Sequence, residues 1–129
     1  MNNPNTLSPL ALAFLGDAIH TAYVRQEVLK GETNKINNYH NIAKKYCNAR
    51  HQKETLDMIF DSLDEEEKNI VRRARNSHSK HSAKNFDEET YKKATAFEAL
   101  IGYLYLNEKT ERLKQILQIS MTEEQKNAN

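Results

Sequence analysis

The fold is decided by residues 8–31, which read SPLALAFLGDAIHTAYVRQEVLKG. Ser8 is a favourable N-cap, Pro9 suits the first helical position, and Gly31 suits the position just past a helix end. The segment between them therefore predicts one long helix. Its apolar residues form two stripes, and Asp17 interrupts the second. The first stripe is Leu12, Leu15, Ile19, Ala22 and Leu29, and the second is Leu10, Phe14, Asp17, Thr21, Val24 and Val28.

A helix with two apolar sides is buried on both, or is buried on one side and paired with another subunit on the other. The first stripe is typical of a core face. The second stripe fits either a core or a subunit interface. An ionised carboxylate in the middle of an apolar seam is costly unless it is paired, hydrogen-bonded or bound to a metal ion. Asp17 is therefore a candidate functional residue.

The same pattern recurs in residues 94–106, which read ATAFEALIGYLYL. Glu98 interrupts an apolar stripe there, Gly102 follows one turn later, and Gly16 lies beside Asp17. A glycine inside a helix costs about 1 kcal/mol relative to alanine, so it usually has a packing reason. Close approach of the two helices at these glycines would bring the two carboxylates together.

Two carboxylates in a semi-enclosed site suit Mg²⁺ or Mn²⁺, because hard cations prefer oxygen ligands. The same residues also admit a structural interpretation. Asp17 would then accept a hydrogen bond from a buried hydroxyl, and Glu98 would pair with an arginine. Composition and spacing leave both interpretations open.

The whole chain, residues 1–129, predicts a single all-α domain with frayed polar ends at about 1–6 and 121–129. Only three glycines and two prolines are present, and no segment alternates with a period of two. The remaining helices are expected at four places. They are 33–48 (ending there, or continuing to 61 with or without a break), 62 or 64 to 76, 87–107 and 110–119, with a loop at 76–86.

Composition excludes several classes of protein. Nineteen basic and 18 acidic residues give a net charge of +1, so no global imbalance indicates a polyanion partner. The single cysteine, Cys47, excludes an intrachain disulfide framework and a cysteine-based zinc cluster, and we expect it to be a small buried residue. There is no membrane-length apolar run and no signal peptide, so we expect a cytoplasmic protein. The histidines are expected at the surface, with His20 a weaker candidate for supporting Asp17.

The residues around both acids resemble a known family. Residues 12–19, LAFLGDAI, resemble the ribonuclease III signature, and residues 97–102, FEALIG, resemble its second acidic motif. Together with residues 72–76, RRARN, they are most similar to the short bacterial branch called Mini-ribonuclease III, which lacks a double-stranded-RNA-binding domain. The resemblance runs from about residue 7 to residue 119.

This resemblance implies a homodimeric endoribonuclease that cleaves double-stranded RNA, leaves a 5′-phosphate and a 3′-hydroxyl, and matures the ends of large-subunit (23S-type) ribosomal RNA. Asp17 and Glu98 would be the catalytic ligands of Mg²⁺, for which Mn²⁺ can substitute. A ribosomal protein or the pre-ribosome is a further candidate partner. The candidate dimer interface consists of Leu10, Phe14, Val24 and Val28. Ala13 and Thr95 stand where longer members of the family have acids, which leaves the number of metal ions open.

The net charge of +1 hides a local asymmetry. Residues 61–67 contain five acids, and residues 68–86 contain six bases and no acid. A basic segment that ends in a polar loop is a candidate surface for phosphates and 2′-hydroxyls. A solvated helix face balanced by the preceding acids is the alternative. The candidate RNA-binding residues are Arg72, Arg73, Arg75, Asn76, His78, Lys80 and Lys84.

Two rival functions remain open at this point. The first is a non-catalytic RNA-binding or ribosome-associated protein on the same scaffold, which the residues Ala13 and Thr95 keep in consideration. The second is a helical interaction module without an RNA ligand, in which both acids are structural.

Overall fold

A computed structural model describes residues 6–31, 35–77 and 87–128, without the side chains of 123–128. Within these ranges the chain forms six α-helices and no strand, so the predicted all-α class is confirmed. No described helix is long and apolar enough to cross a membrane. The helices are α1 (Pro9–Leu29), α2 (Ile36–Tyr46), α3 (Ala49–Ile59), α4 (Glu65–Asn76), α5 (Glu88–Leu106) and α6 (Thr110–Ala128).

Side-chain caps fix the starts of four helices, α1, α3, α4 and α5. The Ser8 hydroxyl accepts a hydrogen bond from the Ala11 amide at 3.1 Å, and Pro9 follows as the first residue of α1. Asp64 and Glu67 form a reciprocal capping box at the start of α4, so Asp64, rather than Ser62, is the cap. Asp87 accepts from the Thr90 amide at the start of α5. These caps satisfy amides that have no partner within the helix.

One expected helix boundary is confirmed and another differs. The second helix ends near Asn48 as expected, and a break separates it from α3 because the Asn48 side chain donates to the Lys44 carbonyl of α2 and accepts from the His51 amide of α3. One residue therefore ends one helix and begins the next. α6 continues to Ala128, so the predicted end of the last helix near Ile119 is wrong, whereas the fraying expected from residue 121 stays a prediction. Residues 1–5 and most of the predicted loop at 76–86 lie outside the described residues.

Helix α5 is the central element of the domain. Four of its large apolar side chains are fully buried, because α1, α3, α4 and α6 all pack around it. This burial on several sides explains why its apolar residues do not form a single stripe. The fully buried large residues of α5 are Phe97, Leu100, Ile101 and Leu104.

Helices α1 and α5 cross with their backbones in contact at two glycines. A methyl group on Gly16 would overlap the backbone carbonyl of Glu98, and one on Gly102 would overlap the backbone carbonyl of Leu12. The glycine of each helix therefore receives a carbonyl of the other. This reciprocal contact is the packing reason that the sequence predicts for both glycines.

A smaller cluster corrects part of the predicted subunit interface. Val24 and Val28 are buried against Tyr46 of α2 and Met121 of α6. They belong to the core of the single chain and are not available to a partner. The contact arises because the second half of α1 is covered by α2 and α6.

We expect Gly16→Ala to lower the free energy of unfolding by about 3 kcal/mol, the upper part of the range for overpacking, because a backbone carbonyl cannot move aside as a side chain can. Gly31→Ala is the matched control. A methyl group there would approach only the Val28 carbonyl, at 3.2 Å, so we expect a change within about 0.5 kcal/mol. Urea unfolding followed by circular dichroism measures both. Equal stability of the two variants would contradict the close crossing.

Candidate active site

Asp17 and Glu98 face each other where α1 crosses α5. Asp17 is exposed and Glu98 is half-buried. Burial, followed by a hydrogen bond with Asp17 and repulsion from it, raises the pKa of Glu98 to about 8. The pair on its own therefore retains a proton at neutral pH. The predicted approach of the two carboxyl groups is thus observed, and the partners of Glu98 are a carboxyl and an amide rather than an arginine.

The amide that contacts Glu98 belongs to Gln52 of α3. Interaction with Gln52 lowers the pKa of Glu98 and so opposes the larger effects of burial and Asp17. Gln52 is itself buried, and its Nε2 lies 3.3 Å from Nδ1 of His20. A polar row therefore runs inward from the acid pair through Gln52 to His20.

His20 is fully buried, so the expectation that it lies at the surface is wrong. Its ring meets the Phe97 ring edge-on, with 5.2 Å between centroids. Burial, and then the nearby His51, lower the pKa of His20 to about 4, although Asp17 opposes this shift. His20 is therefore neutral at physiological pH.

His51 is also buried, which corrects the same expectation for a second histidine. Its Nε2 lies 2.5 Å from the Ser120 carbonyl of α6 and so carries the donated proton. The ring also meets Tyr46 edge-on. His51 thereby ties α3 to α6 behind the polar row.

Cys47 lies near the acid pair at the turn between α2 and α3. Burial raises the pKa of its thiol, a hydrogen bond with Thr21 lowers it, and the negative charge of Asp17 raises it again. The thiol therefore remains protonated at neutral pH and is a poor metal ligand. Its half-buried position agrees in part with the predicted buried residue.

The two positions without acids are buried. Ala13 packs in the main core, and the Thr95 hydroxyl donates to the Tyr91 carbonyl of its own helix at 3.0 Å. Across the described ranges, no group of three or more histidine, cysteine, aspartate or glutamate side chains could hold a metal ion. The acid pair therefore offers two protein ligands.

The basic residues of α4 differ in their availability. Arg72 and Asn76 are exposed, and Arg73 is half-buried. Arg75 forms an ion pair with Glu89 of α5, so its charge is partly neutralised. Three of the predicted RNA-binding residues lie outside the described residues, namely His78, Lys80 and Lys84.

The remaining predicted interface residues lie at the start of α1. Phe14 is 85% exposed and Leu10 is 40% exposed. An exposed phenylalanine of this kind leaves most of its apolar surface in water, which favours a protein contact there. Phe14 is three residues before Asp17, so this apolar surface borders the acid pair.

Sequence reasoning did not identify Gln52 as part of the site and misplaced His20. The signal for His20 was the spacing of four residues between Leu12, Gly16, His20 and Val24. Since Gly16 marks the face that touches α5, His20 one turn later must share that face. The sequence contains no comparable signal for Gln52, because its position depends on how α3 packs against α5.

The chain matches the family model described as the ribonuclease III domain over residues 10–109. It is 46% identical to a Mini-ribonuclease 3 of Thermoanaerobacter sp. (strain X514), covering 90% of this chain and 82% of that protein. It is 47% identical to a Mini-ribonuclease 3 of Brevibacillus brevis, covering 90% of this chain and 87% of the relative.

A crystal structure of a Fusobacterium nucleatum protein has a similar fold. It superposes with a TM-score of 0.84 at 38% identity, covering 92% of this chain and 95% of that one. The family match spans both acidic helices, and the relatives are matched over most of their length. The chain therefore belongs to the ribonuclease III family, among its Mini-ribonuclease 3 members, and is an endoribonuclease.

Proposed function

We propose that the protein is a Mg²⁺-dependent endoribonuclease that hydrolyses double-stranded RNA. The observation that carries this proposal is the approach of Asp17 and Glu98 at the helix crossing, where the pKa of Glu98 is raised to about 8. A carboxyl pair that retains a proton to reduce its own repulsion is suited to exchange that proton for a divalent cation.

The donor set of the site fits Mg²⁺. Asp17 would hold the cation from the solvent side and Glu98 from the inner side. Mg²⁺ commonly binds one or two carboxylates and keeps several waters, so two protein ligands are sufficient. A bound Mg²⁺ supplies the positive charge that activates a water and stabilises the charge developing on the phosphate.

The reaction we propose is hydrolysis of one phosphodiester bond. The water oxygen forms a bond to phosphorus, the bond from phosphorus to the 3′ oxygen breaks, and a 3′-hydroxyl and a 5′-phosphate remain. Before Glu98 can act as a ligand, its carboxyl must release its proton to the solvent. Because Asp17 is exposed, this proton has a short route to the solvent. The same exposure leaves the solvent side of the site open to the backbone of the RNA.

The charges on α4 support RNA as the substrate. Arg72, Arg73 and Asn76 end a helix whose last turn is basic, and Glu89, the ion-pair partner of Arg75, lies nine residues before Glu98 on α5. At ~1.5 Å per residue, the basic end lies about 14 Å along α5 from the acid pair. Positive charge at this spacing can contact phosphates that flank the cleaved bond.

The finer proposals concern the natural substrate and assembly. Because the chain belongs to the Mini-ribonuclease 3 branch, we propose that its natural substrate is the precursor of large-subunit ribosomal RNA, which it cleaves near the ends. The cleavage would take place within a pre-ribosome or with the help of a ribosomal protein. The exposed residues Leu10 and Phe14 support a homodimer in which each subunit contributes one acid pair.

The first prediction from the proposed function concerns cleavage. We expect Asp17→Asn and Glu98→Gln to reduce the rate of Mg²⁺-dependent cleavage of a long RNA duplex more than about 100-fold. Substitution of the partners of metal ligands typically costs 10–100-fold, and these residues are proposed as the ligands themselves. Single-turnover cleavage at low salt measures the rates, and Glu54→Gln, on the exposed surface of α3, is the matched control.

Gel retardation of the same duplex separates this proposal from a binding protein. We expect both variants to retain the duplex, because the basic residues are unchanged. If wild type retains the duplex and never cleaves it with Mg²⁺ or Mn²⁺, the protein is a binding scaffold. If wild type neither binds nor cleaves at low salt, it is an interaction module.

The second prediction concerns the metal-free protein. Because the pKa of Glu98 is raised to about 8 in the folded state, the folded protein binds the proton more tightly than the unfolded chain. The free energy of unfolding of the metal-free protein therefore falls as the pH rises from the usual pKa of glutamate through about 8. We expect Glu98→Gln to raise Tm by several degrees at pH 8.5 in EDTA and to have no such effect at pH 4.

Mg²⁺ provides a second measurement on the same pair of proteins. We expect saturating Mg²⁺ at pH 8 to raise the Tm of wild type but not that of Glu98→Gln, because only wild type has both carboxylates proposed to hold the cation. A difference in Tm between the two proteins that is independent of pH would contradict the shared proton.

The third prediction concerns assembly. We expect Phe14→Glu to convert a dimer into a monomer of unchanged helicity, since it places a charge in an apolar contact. Leu29→Glu is the control, because Leu29 is also exposed but lies at the far end of α1. Sedimentation velocity and circular dichroism measure both variants. A dimer that survives Phe14→Glu would place the interface elsewhere.

A further inference from the structure

Glu98 lies in an electrostatically unfavourable position. It is half-buried and faces Asp17, and both effects oppose its ionised form. A glutamate side chain also has three rotatable bonds, so an unsupported carboxylate would turn away from a like charge. Among the partners that act on Glu98, Gln52 is the one that favours the ionised carboxylate.

The Gln52 amide is held from the opposite side by His20. Their atoms Nε2 and Nδ1 are 3.3 Å apart, and both side chains are buried. A neutral histidine whose Nδ1 lies beside an amide nitrogen accepts a hydrogen bond there, so the Gln52 nitrogen is the donor. That nitrogen carries two hydrogens, which leaves the second available for the Glu98 carboxylate.

His20 is itself fixed by packing. It is fully buried on the α5-facing side of α1 and lies edge-on to Phe97, which is the residue preceding Glu98. The row from His20 through Gln52 to Glu98 therefore joins α1, α3 and α5. Movement of any one of these helices would move the donor relative to the carboxylate.

An uncharged donor is well suited to this position. A lysine or arginine beside Glu98 would stabilise the carboxylate, but its positive charge would repel a divalent cation. An amide provides the hydrogen bond and leaves the negative charge of the pair intact. Ala13 and Thr95 supply no further carboxylate, and the described partner that favours the ionised form of Glu98 is the neutral amide of Gln52.

We propose that Gln52 is a positioning residue, which donates its amide hydrogen to Glu98 and holds that carboxylate in place for a divalent cation shared with Asp17, while His20 fixes the direction of the amide. This inference rests on the proposed metal-dependent function. This role adds a third residue to the two acids, because it explains how the carboxylate of Glu98 keeps its orientation in a site with two carboxylates.

The test is titration of the metal-free protein with Mg²⁺ alone, measured by calorimetry without RNA. Gln52→Met keeps the side-chain volume and removes the donor. We expect it to weaken Mg²⁺ binding about tenfold, the lower part of the range for partners of metal ligands. We also expect the Mg²⁺ concentration for half-maximal cleavage to rise by the same factor, with a smaller change in rate at saturating Mg²⁺.

Thr55→Val is the matched control for damage to α3. Thr55 is buried one turn after His51 on the same helix, and its hydroxyl donates to the His51 carbonyl rather than to the site. We expect Thr55→Val to lower stability in urea and to leave the affinity for Mg²⁺ unchanged. An equal loss of affinity in Thr55→Val and Gln52→Met would overturn the positioning role.

His20→Phe provides a second variant that keeps an aromatic ring and removes the acceptor. We expect a loss of Mg²⁺ affinity in the same direction and smaller than that of Gln52→Met. If wild type binds Mg²⁺ and cleaves RNA, and a folded Gln52→Met protein binds Mg²⁺ with unchanged affinity, the positioning role of Gln52 is overturned. Failure of wild type to bind Mg²⁺ would instead overturn the proposed function, so the two failures are distinguishable.

Discussion

The structure depends on the backbone contact between α1 and α5. Gly16 receives the carbonyl of Glu98 and Gly102 receives the carbonyl of Leu12, so each helix fits into the other at two points. Asp17 follows one of these glycines, and Glu98 itself supplies one of the carbonyls. The packing of the core and the placement of the acid pair are therefore one constraint, and a shift that relieved the contact would also separate the carboxylates.

The polar groups of the site are ordered by depth. Asp17 is exposed, Glu98 is half-buried, and Gln52 and His20 are buried. Charge is thus confined to the outer end of the row, where water and a cation can stabilise it, and the inner end is neutral. The pKa of Glu98 is raised and that of His20 is lowered by the same burial, which favours the uncharged form of both groups.

Local signals in the sequence predicted the all-α class, the cap at Ser8, Asp64 as one of two candidate caps, and the approach of the two acids. These features depend on residues that are near in sequence or on glycines that mark a close contact. The sequence left Val24 and Val28 between a core and a subunit interface, because the residues that cover them come from α2 and α6. Gln52 was missed for the same reason, since a residue on α3 becomes part of the site only through the packing of α3 on α5.

The proposed dimer contact and the acid pair are linked by the geometry of α1. Phe14 and Asp17 are three residues apart, which places them on neighbouring positions of one helix face, about 4.5 Å apart along its axis. A partner that covers Phe14 must therefore reach the edge of the acid pair. In the proposed homodimer, the position of the partner subunit would limit how RNA approaches Asp17. Assembly would then shape the cleft for the duplex, although each chain carries both of its own acids.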